Sequence, residues 1–214
     1  MMLTIEVIPG APLETNCYLV ADVTAGEAML VDAPWQIVDD IQQLAAKLQV
    51  KITEIVLTHG HWDHTMGLAE LRDATGARTA VAAEDEDMVV NPTFAPFSFP
   101  WELVSVTPDR LLQDGDQIRV GESTFTVLAT PGHTPGCICL YNAEEGLLFS
   151  GDTLFMGAHG RLDFPGGDAE KMTASLARLA QLPTETRVFP GHGDETTIGR
   201  ERAWMRTFNY RVGY

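Results

Sequence analysis

Three histidines and an aspartate lie within six residues of one another in the segment 59–64, which reads His-Gly-His-Trp-Asp-His. Imidazole nitrogens and carboxylate oxygens are donors for zinc and similar divalent metals, and a catalytic metal keeps one position open for water. The segment follows a short apolar run that predicts a buried strand, and a strand end is a rigid place for ligands. Because His59 and His61 can face one way while Asp63 and His64 face the other, one segment could serve two adjacent metals.

Three further residues of the same kinds follow downstream: His133 in Thr-Pro-Gly-His-Thr-Pro-Gly, Asp152 in Ser-Gly-Asp-Thr, and His192 in Phe-Pro-Gly-His-Gly. Each comes after an apolar, strand-like run, so a layered sheet could bring all of them together. An accidental surface cluster of histidines is the alternative, but it would not explain these matching downstream residues. The pattern therefore predicts a metal centre at the ends of several strands.

This order of residues, HxHxDH followed by a lone His, a lone Asp and a last His, resembles the metallo-β-lactamase fold superfamily over nearly the whole chain. The resemblance implies two metal-binding groups and one bridging residue: His59, His61 and His133; Asp63, His64 and His192; and Asp152. It implies two divalent ions, zinc in the first place, with iron or manganese as alternatives. Asp63 would also act in catalysis by orienting a hydroxide held between the metals.

The length and charge of the chain limit what it can bind. The sequence has 214 residues, of which 45% are hydrophobic, and we expect residues 1–214 to form a single hydrolase domain. The formal net charge is −16, which argues against nucleic acid as a partner, because phosphate binding needs clustered Lys and Arg. A small molecule is the expected partner, and the protein is expected to be a monomer or a homodimer.

The N-terminal residues lack the basic and apolar regions of a signal peptide, and no run is long and apolar enough to predict a membrane span. Cys17, Cys137 and Cys139 make an odd count, and a Cys-x-Cys pair on one strand is badly placed for a disulfide. We therefore expect a cytoplasmic protein with reduced thiols. The pair could ligate a metal, but small core residues are the better interpretation.

Apolar alternation predicts successive strands at 3–8, 16–21 and 28–31, and Asp32 follows the third of them. Asp32 could begin the next helix, predicted at 35–48, and in relatives an Asp at this point also supports the metal site. A strand at 52–57, a helix at 66–75 ending at Gly76, and a strand at 78–82 come next. The acidic run 84–87 is best interpreted as a solvated helix start.

The segment 91–101 contains three prolines and four aromatic residues. Its prolines prevent a helix, yet an idle surface loop rarely carries so many aromatics. Three roles stay open: a plug in the core, which we favour, a lid over the metal pocket, or a contact between two subunits.

The second half repeats the scheme of the first, with strands near 118–120, 124–128, 137–141, 147–149 and 186–189. Asp168 is a good N-cap for a following helix, and a final helix is expected at 198–208. Two runs of strands, each followed by helices, predict two sheets packed face to face with helices outside. The fold class is α/β, and the same four-layer αββα sandwich is what the resemblance implies.

The motifs at 132–136, 151–155, 160–164 and 190–201 look like those of the short glyoxalase II branch, the hydroxyacylglutathione hydrolase-like proteins. That resemblance implies a metal-dependent thioesterase that cleaves S-acylglutathione, such as S-lactoylglutathione, to a hydroxy acid and a thiol. A thiolate can leave without a proton from a general acid. This suits the chain, because no motif places its one spare histidine, His159, as a general acid.

The resemblance is incomplete, because full-length glyoxalase II has a basic C-terminal domain that grips glutathione, and here a single helix follows Gly199. Arg161 could instead bind a substrate carboxylate, or it could pair with Asp163 in its own loop. The first alternative function is a persulfide dioxygenase with one iron ion, and a lactonase is the second. A secreted β-lactamase is less expected, because no export signal is found and Asp152 as a bridging ligand resembles the thioesterase side of the superfamily. A non-enzymatic scaffold is less expected, because no ligand is missing from the seven-residue set.

Overall fold

A computed structural model describes residues 3–95 and 97–208 of the chain. Within these residues, twelve strands form two six-stranded sheets that pack face to face. Among them, no helix combines the length and the apolar composition needed to cross a bilayer.

The first sheet is antiparallel at its beginning and parallel in its second half. Its strands are β1 (Thr4–Gly10), β2 (Thr15–Asp22), β3 (Glu27–Val31), β4 (Lys51–Val56), β5 (Arg78–Ala82) and β6 (Arg110–Leu112), in that spatial order. Val31 pairs with Val56 in the parallel register of β3 and β4. The ends of these two strands therefore lie at the same edge of the sheet.

The second sheet repeats this arrangement in reverse order. Its strands are β7 (Gln117–Val120), β8 (Ser123–Ala129), β9 (Ile138–Asn142), β10 (Leu147–Gly151), β11 (Arg187–Pro190) and β12 (Thr196–Thr197), in the spatial order β12-β11-β10-β9-β8-β7. The parallel pair β10 and β11 aligns Gly151 with Pro190. This sheet also brings two strand ends to one edge.

Helices cover the outer face of each sheet. They are α1 (Val38–Leu48), α2 (Trp62–Thr65), α3 (Leu68–Thr75), a 3₁₀ turn (Ala83–Asp85), α4 (Glu86–Val90), α5 (Ala169–Leu179) and α6 (Ile198–Thr207). Buried side chains such as Phe125 and Phe149 fill the space between the sheets, and apolar helix faces form two further cores outside them. The predicted αββα sandwich is confirmed.

Several local predictions are confirmed. Gly76 ends α3 in the left-handed conformation, with φ of 68°, which glycine adopts without a steric penalty. Asp168 caps α5, since its carboxylate accepts hydrogen bonds from the backbone amides of Glu170 and Lys171. All three cysteines are buried thiols, which agrees with their interpretation as small core residues.

The predicted start of the first helix is wrong. α1 begins at Val38 rather than near Trp35, and its N-cap position is Ile37. Asp32 is buried with φ of 64°, and its carboxylate points to the neighbouring strand end instead of capping the helix. The other expected role of Asp32, support of the metal site, is present, because its carboxylate lies 2.8 Å from Nδ1 of His64.

Candidate metal centre

Four strand ends and one short helix position the seven polar residues singled out in the sequence. His59 follows β4, while Asp63 and His64 lie in α2, a single helical turn that starts three residues later. The remaining residues follow β8, β10 and β11: His133, Asp152 and His192. The structure brings all seven together where one edge of each sheet meets the other.

The first group consists of three imidazoles whose nitrogens face one another. Nδ1 of His61 lies 3.1 Å from Nε2 of His59 and 2.8 Å from Nε2 of His133. Nitrogen atoms this close need a shared cation or proton between them, because two lone pairs repel. The three donors form one of the groups that could hold a metal ion.

The second group lies on the other side of Asp152. Nε2 of His192 is 3.2 Å from Oδ2 of Asp63 and 3.3 Å from Nε2 of His64. Oδ1 of Asp152 lies 3.3 Å from Nε2 of His64, and its Oδ2 lies 3.5 Å from Nε2 of His133. The two oxygens of Asp152 thus face different groups, as a bridging carboxylate would.

Outer hydrogen bonds orient the histidines toward the centre. Nδ1 of His64 donates to Asp32 at 2.8 Å, and Nδ1 of His133 donates to the carbonyl of Arg161 at 2.6 Å. Asp32 also accepts from the backbone amide of Thr58 at 2.7 Å. The bonds of the two histidines place a proton on Nδ1 of each ring and direct its Nε2 inward, which is the arrangement of a metal ligand.

The surroundings of His59 and His61 keep these two imidazoles neutral. Burial lowers the pKa of His59 well below its usual value and lowers the pKa of His61 to about 4. Burial raises the pKa of the Asp63 carboxyl, but His64 and His192 lower it by more, so the net pKa lies below the usual value. Neutral imidazole and ionised carboxylate are the states that bind a metal ion.

The second group contains a histidine with the opposite shift. Burial lowers the pKa of His64, but Asp32, Asp63 and Asp152 raise it more strongly, so its net pKa lies well above the usual value. Because a metal ion binds the neutral form of imidazole, binding of a cation by His64 would be coupled to release of a proton.

One buried atom tests whether the residues fit a metal ion. Oδ1 of Asp152 accepts no hydrogen bond from any described residue, although it is buried. An ionised oxygen without a partner is costly in such a place, and a cation between the two groups would satisfy it. The residues present therefore fit divalent metal ions.

Asp85 is a residue of this site that sequence reasoning missed. It is fully buried, so the interpretation of the whole acidic run as a solvated helix start is wrong at this position. Its carboxylate accepts hydrogen bonds from the amide of Gly60 at 2.9 Å, the hydroxyl of Thr134 at 2.6 Å and the amide of Gly136 at 2.7 Å. Asp85 thus connects the loop of His59 to the loop of His133.

Gly191 allows the closest backbone approach to the centre. A Cβ at this position would overlap Oδ1 of Asp152 and would lie 2.7 Å from Cε1 of His64. No side chain fits there without moving one of these two residues, which explains the glycine before His192.

A cavity of about 610 Å³ opens above the centre. His61, Asp63 and His192 are among the residues that line it, together with Phe97 and Phe99 from the segment 91–101. None of the described residues of that segment is buried, so the prediction of a core plug is wrong. The prolines keep the segment irregular, and its aromatics pack on one another and on the cavity instead.

The two remaining predicted residues lie at the same cavity. His159 lines it, and its Nδ1 is 2.7 Å from the carbonyl of Gly160. Arg161 also lines it, and its guanidinium donates to both carboxylate oxygens of Asp163, at 2.9 and 2.6 Å. The pairing within the loop, one of the two alternatives for Arg161, is thus present, while a contact with substrate stays a prediction.

Comparison with known proteins identifies relatives along almost the whole chain. Residues 10–192 match the family described as the metallo-beta-lactamase superfamily. An uncharacterized protein of Aquifex aeolicus is 41% identical, with 94% of each chain covered. The hydroxyacylglutathione hydrolase GloC of Haemophilus influenzae is 33% identical and covers 94% of this chain and 95% of its own.

Solved structures show the same likeness. The BLEG-1 B3 metallo-beta-lactamase has a TM-score of 0.85 at 32% identity, with 94% of this chain and 97% of that chain covered. TTHA1623, solved in a di-iron-bound form, has a TM-score of 0.79 at 35% identity, covering 92% and 96%. ETHE1 from Myxococcus xanthus has a TM-score of 0.77 at 31% identity, covering 93% and 81%.

Proposed function

The chain belongs to the metallo-beta-lactamase superfamily, and on that premise we propose that it is a metal-dependent thioesterase that hydrolyses S-acylglutathione. The observation that carries the proposal is the pair of complete ligand groups with the buried carboxylate of Asp152 between them. A relative of matching length that is named hydroxyacylglutathione hydrolase supports the thioester as substrate.

Two divalent ions would be held by the residues of the two groups: His59, His61 and His133 for one, Asp63, His64 and His192 for the other, with Asp152 shared. Bound there, the ions would polarise the thioester carbonyl and lower the pKa of water so that it attacks at neutral pH. His and Asp donors accept zinc, iron and manganese, and the likeness to a di-iron protein supports iron beside zinc.

The chain's own residues hold this arrangement rigid. Asp63 accepts a hydrogen bond from the hydroxyl of Thr15 at 3.0 Å, which fixes the carboxylate that we assign to catalysis. Asp32 fixes the ring of His64 from behind. Preorganised donors of this kind avoid reorganisation during the reaction, which is the main way in which a protein scaffold accelerates it.

A thioester suits the groups around the cavity better than an amide. The leaving thiolate has a parent pKa of about 8.5 and needs no proton, whereas an amide nitrogen does. The histidine nearest to such a role, His159, is engaged with the carbonyl of Gly160, and its ring centroid lies 4.6 Å from that of Phe208.

The test is release of free thiol from S-lactoylglutathione by the purified protein, before and after chelation of its metal. We expect release that chelation abolishes and that added metal restores. His61→Ala should lose more than about a hundredfold in rate, and added metal should not restore it. No release from S-lactoylglutathione or from other S-acylglutathiones by protein that holds its full metal complement would refute the proposal.

The second candidate is a persulfide dioxygenase with a single iron ion, which the likeness to ETHE1 supports. The complete second group argues against it, because one iron ion would leave Asp63, His64 and His192 partly unused. Metal content and oxygen consumption with glutathione persulfide distinguish the two activities. A lactonase, the third candidate, would be detected with a lactone panel on the same sample.

A further inference from the structure

Five aromatic side chains line the cavity above the metal centre, and we call them the aromatic wall. Its members are Trp62, Phe97, Phe99, Phe155 and Phe164. These rings contact one another across the opening, with centroids 5.2 Å apart for Trp62 and Phe99 and 5.8 Å apart for Phe97 and Phe164. Three separate chain segments therefore contribute to this apolar lining.

The aromatic wall also reaches the proposed ligands. The ring centroid of Phe164 lies 5.7 Å from that of His61, and Phe155 lies 6.1 Å from His192. A substrate whose reacting carbonyl sits over the centre must therefore place a neighbouring group against these rings.

Three polar side chains line the cavity besides the proposed ligands, and each is engaged within its own loop. The hydroxyl of Thr93 accepts from the amide of Ala95, at 3.1 Å. His159 bonds a neighbouring carbonyl, and the guanidinium of Arg161 is paired with Asp163. Most of the remaining lining is apolar, so an alkyl group of the substrate would pack on it without displacing any of these local bonds.

The lining of the cavity is partly exposed to solvent. Phe97 is 45% exposed, and Leu13, another lining residue, is 53% exposed. Exposed apolar surface in a concave site is stabilised when an apolar ligand covers it. The free energy of that burial would be available for binding.

We propose that the acyl group of the natural substrate is apolar, an alkyl chain or aromatic ring that packs on the aromatic wall, rather than a small hydroxyacyl group such as lactoyl. This inference rests on the thioesterase activity proposed above and names the acyl class for the same site. The thiol carrier is left as glutathione, so that the acyl group is the only variable.

The experiment compares S-lactoyl-, S-propanoyl- and S-hexanoylglutathione by kcat/KM, each divided by the rate of hydroxide-catalysed hydrolysis of the same ester. Lactoyl and propanoyl differ by a single hydroxyl, which makes them a matched pair. We expect propanoyl to be preferred over lactoyl, and hexanoyl over propanoyl by about fourfold for each methylene that becomes buried. Equal values, or a preference for lactoyl, would overturn the inference and leave the thioesterase intact.

The variant Phe97→Ala tests whether the preference for longer acyl groups comes from the aromatic wall. Because Phe97 is exposed, we do not expect the substitution to unfold the protein. The variant should lower the ratio of hexanoyl to propanoyl rates. Val104→Ala removes an apolar side chain that is 59% exposed and does not line the cavity, so it is the matched control and should leave the ratio unchanged. A ratio that Phe97→Ala does not change would contradict the assignment.

Binding of thioethers separates this inference from the proposed reaction. S-hexylglutathione and S-methylglutathione cannot be hydrolysed, and tryptophan fluorescence reports their binding because Trp62 lies in the wall. We expect the hexyl compound to bind more tightly. If the hexyl compound binds more tightly while no thioester is cleaved, the proposed reaction is wrong and the inference of an apolar acyl group is kept. Equal binding of the two compounds overturns the inference of an apolar acyl group.

Discussion

Asp85 offers the sharpest test of how the fold positions the metal centre. Its carboxylate holds the backbone of Gly60, which lies between His59 and His61, and the loop that carries His133. Asp85→Asn keeps the shape of the side chain but replaces one acceptor oxygen with an amino group. We expect this change to weaken the first metal group while leaving the second group intact.

The magnitude follows from the three hydrogen bonds. In either orientation of the asparagine, one of the amides of Gly60 and Gly136 faces an NH₂ group, and an unsatisfied buried donor costs about 1–3 kcal/mol. Burial raises the pKa of Asp85, and a neutral amide is easier to bury, which offsets part of this cost. We therefore expect a loss of about 1 kcal/mol in the free energy of unfolding, and a loss of about tenfold to a hundredfold in affinity for one of two metal ions.

The assay is a competition titration of metal-free protein against a chelator, with chemical denaturation of the same samples. Wild type should fill two sites, and Asp85→Asn should fill one of them with weakened affinity. Glu84→Gln is the matched control, because Glu84 is an exposed acid one residue earlier. Unchanged affinity at both sites in Asp85→Asn, or equal weakening of both, would refute the positioning role.

Three further perturbations test other parts of the account. Gly191→Ala should displace the carboxylate of Asp152, and metal content measured after dialysis should fall; full metal content would contradict the close approach. Burial raises the pKa of Glu54, so the charged form of this side chain destabilises the fold. Glu54→Gln should therefore be more stable than wild type in thermal unfolding at pH 7, and the difference should vanish below about pH 4.3, the ordinary pKa of Glu. A difference that does not depend on pH would argue against this origin. Asp163→Asn should release Arg161 from its ion pair and lower KM for glutathione thioesters by about twofold to fivefold. KM for a neutral N-acetylcysteamine thioester should not change. A raised KM would show that the ion pair of Arg161 and Asp163 is itself needed.

Much of the fold and of the site could be predicted because its signals are local. Strand alternation, the cap at Asp168 and the stop at Gly76 depend on neighbouring residues alone, and the structure has them where they were expected. Each part of the metal motif is also recognised from neighbouring residues, and the strand ends bring these parts together at one edge of the two sheets. The convergence of His59 and His133 therefore follows once the two-sheet fold is correct.

The missed features depend on contacts between distant segments. Asp85 is one of four consecutive acids, and its burial is decided by the loops of Gly60 and Gly136, which are 25 and 51 residues away. A signal was present, since Asp85 follows β5 as the proposed ligands follow their own strands. The aromatic segment of Phe97 and Phe99 gave a signal too, since a lid over the metal pocket was one of its open roles. The sequence could not rank that role above a core plug, because the packing of these rings on the cavity is set by side chains from other loops.

The most direct test of the central claim is a titration of metal into metal-free protein while thiol release from an S-acylglutathione is followed. The two complete groups predict that the rate rises until two ions are bound per chain and then stays constant. A rate that reaches its maximum at one ion, or no thiol release with both sites filled, would contradict the account of a dinuclear thioesterase.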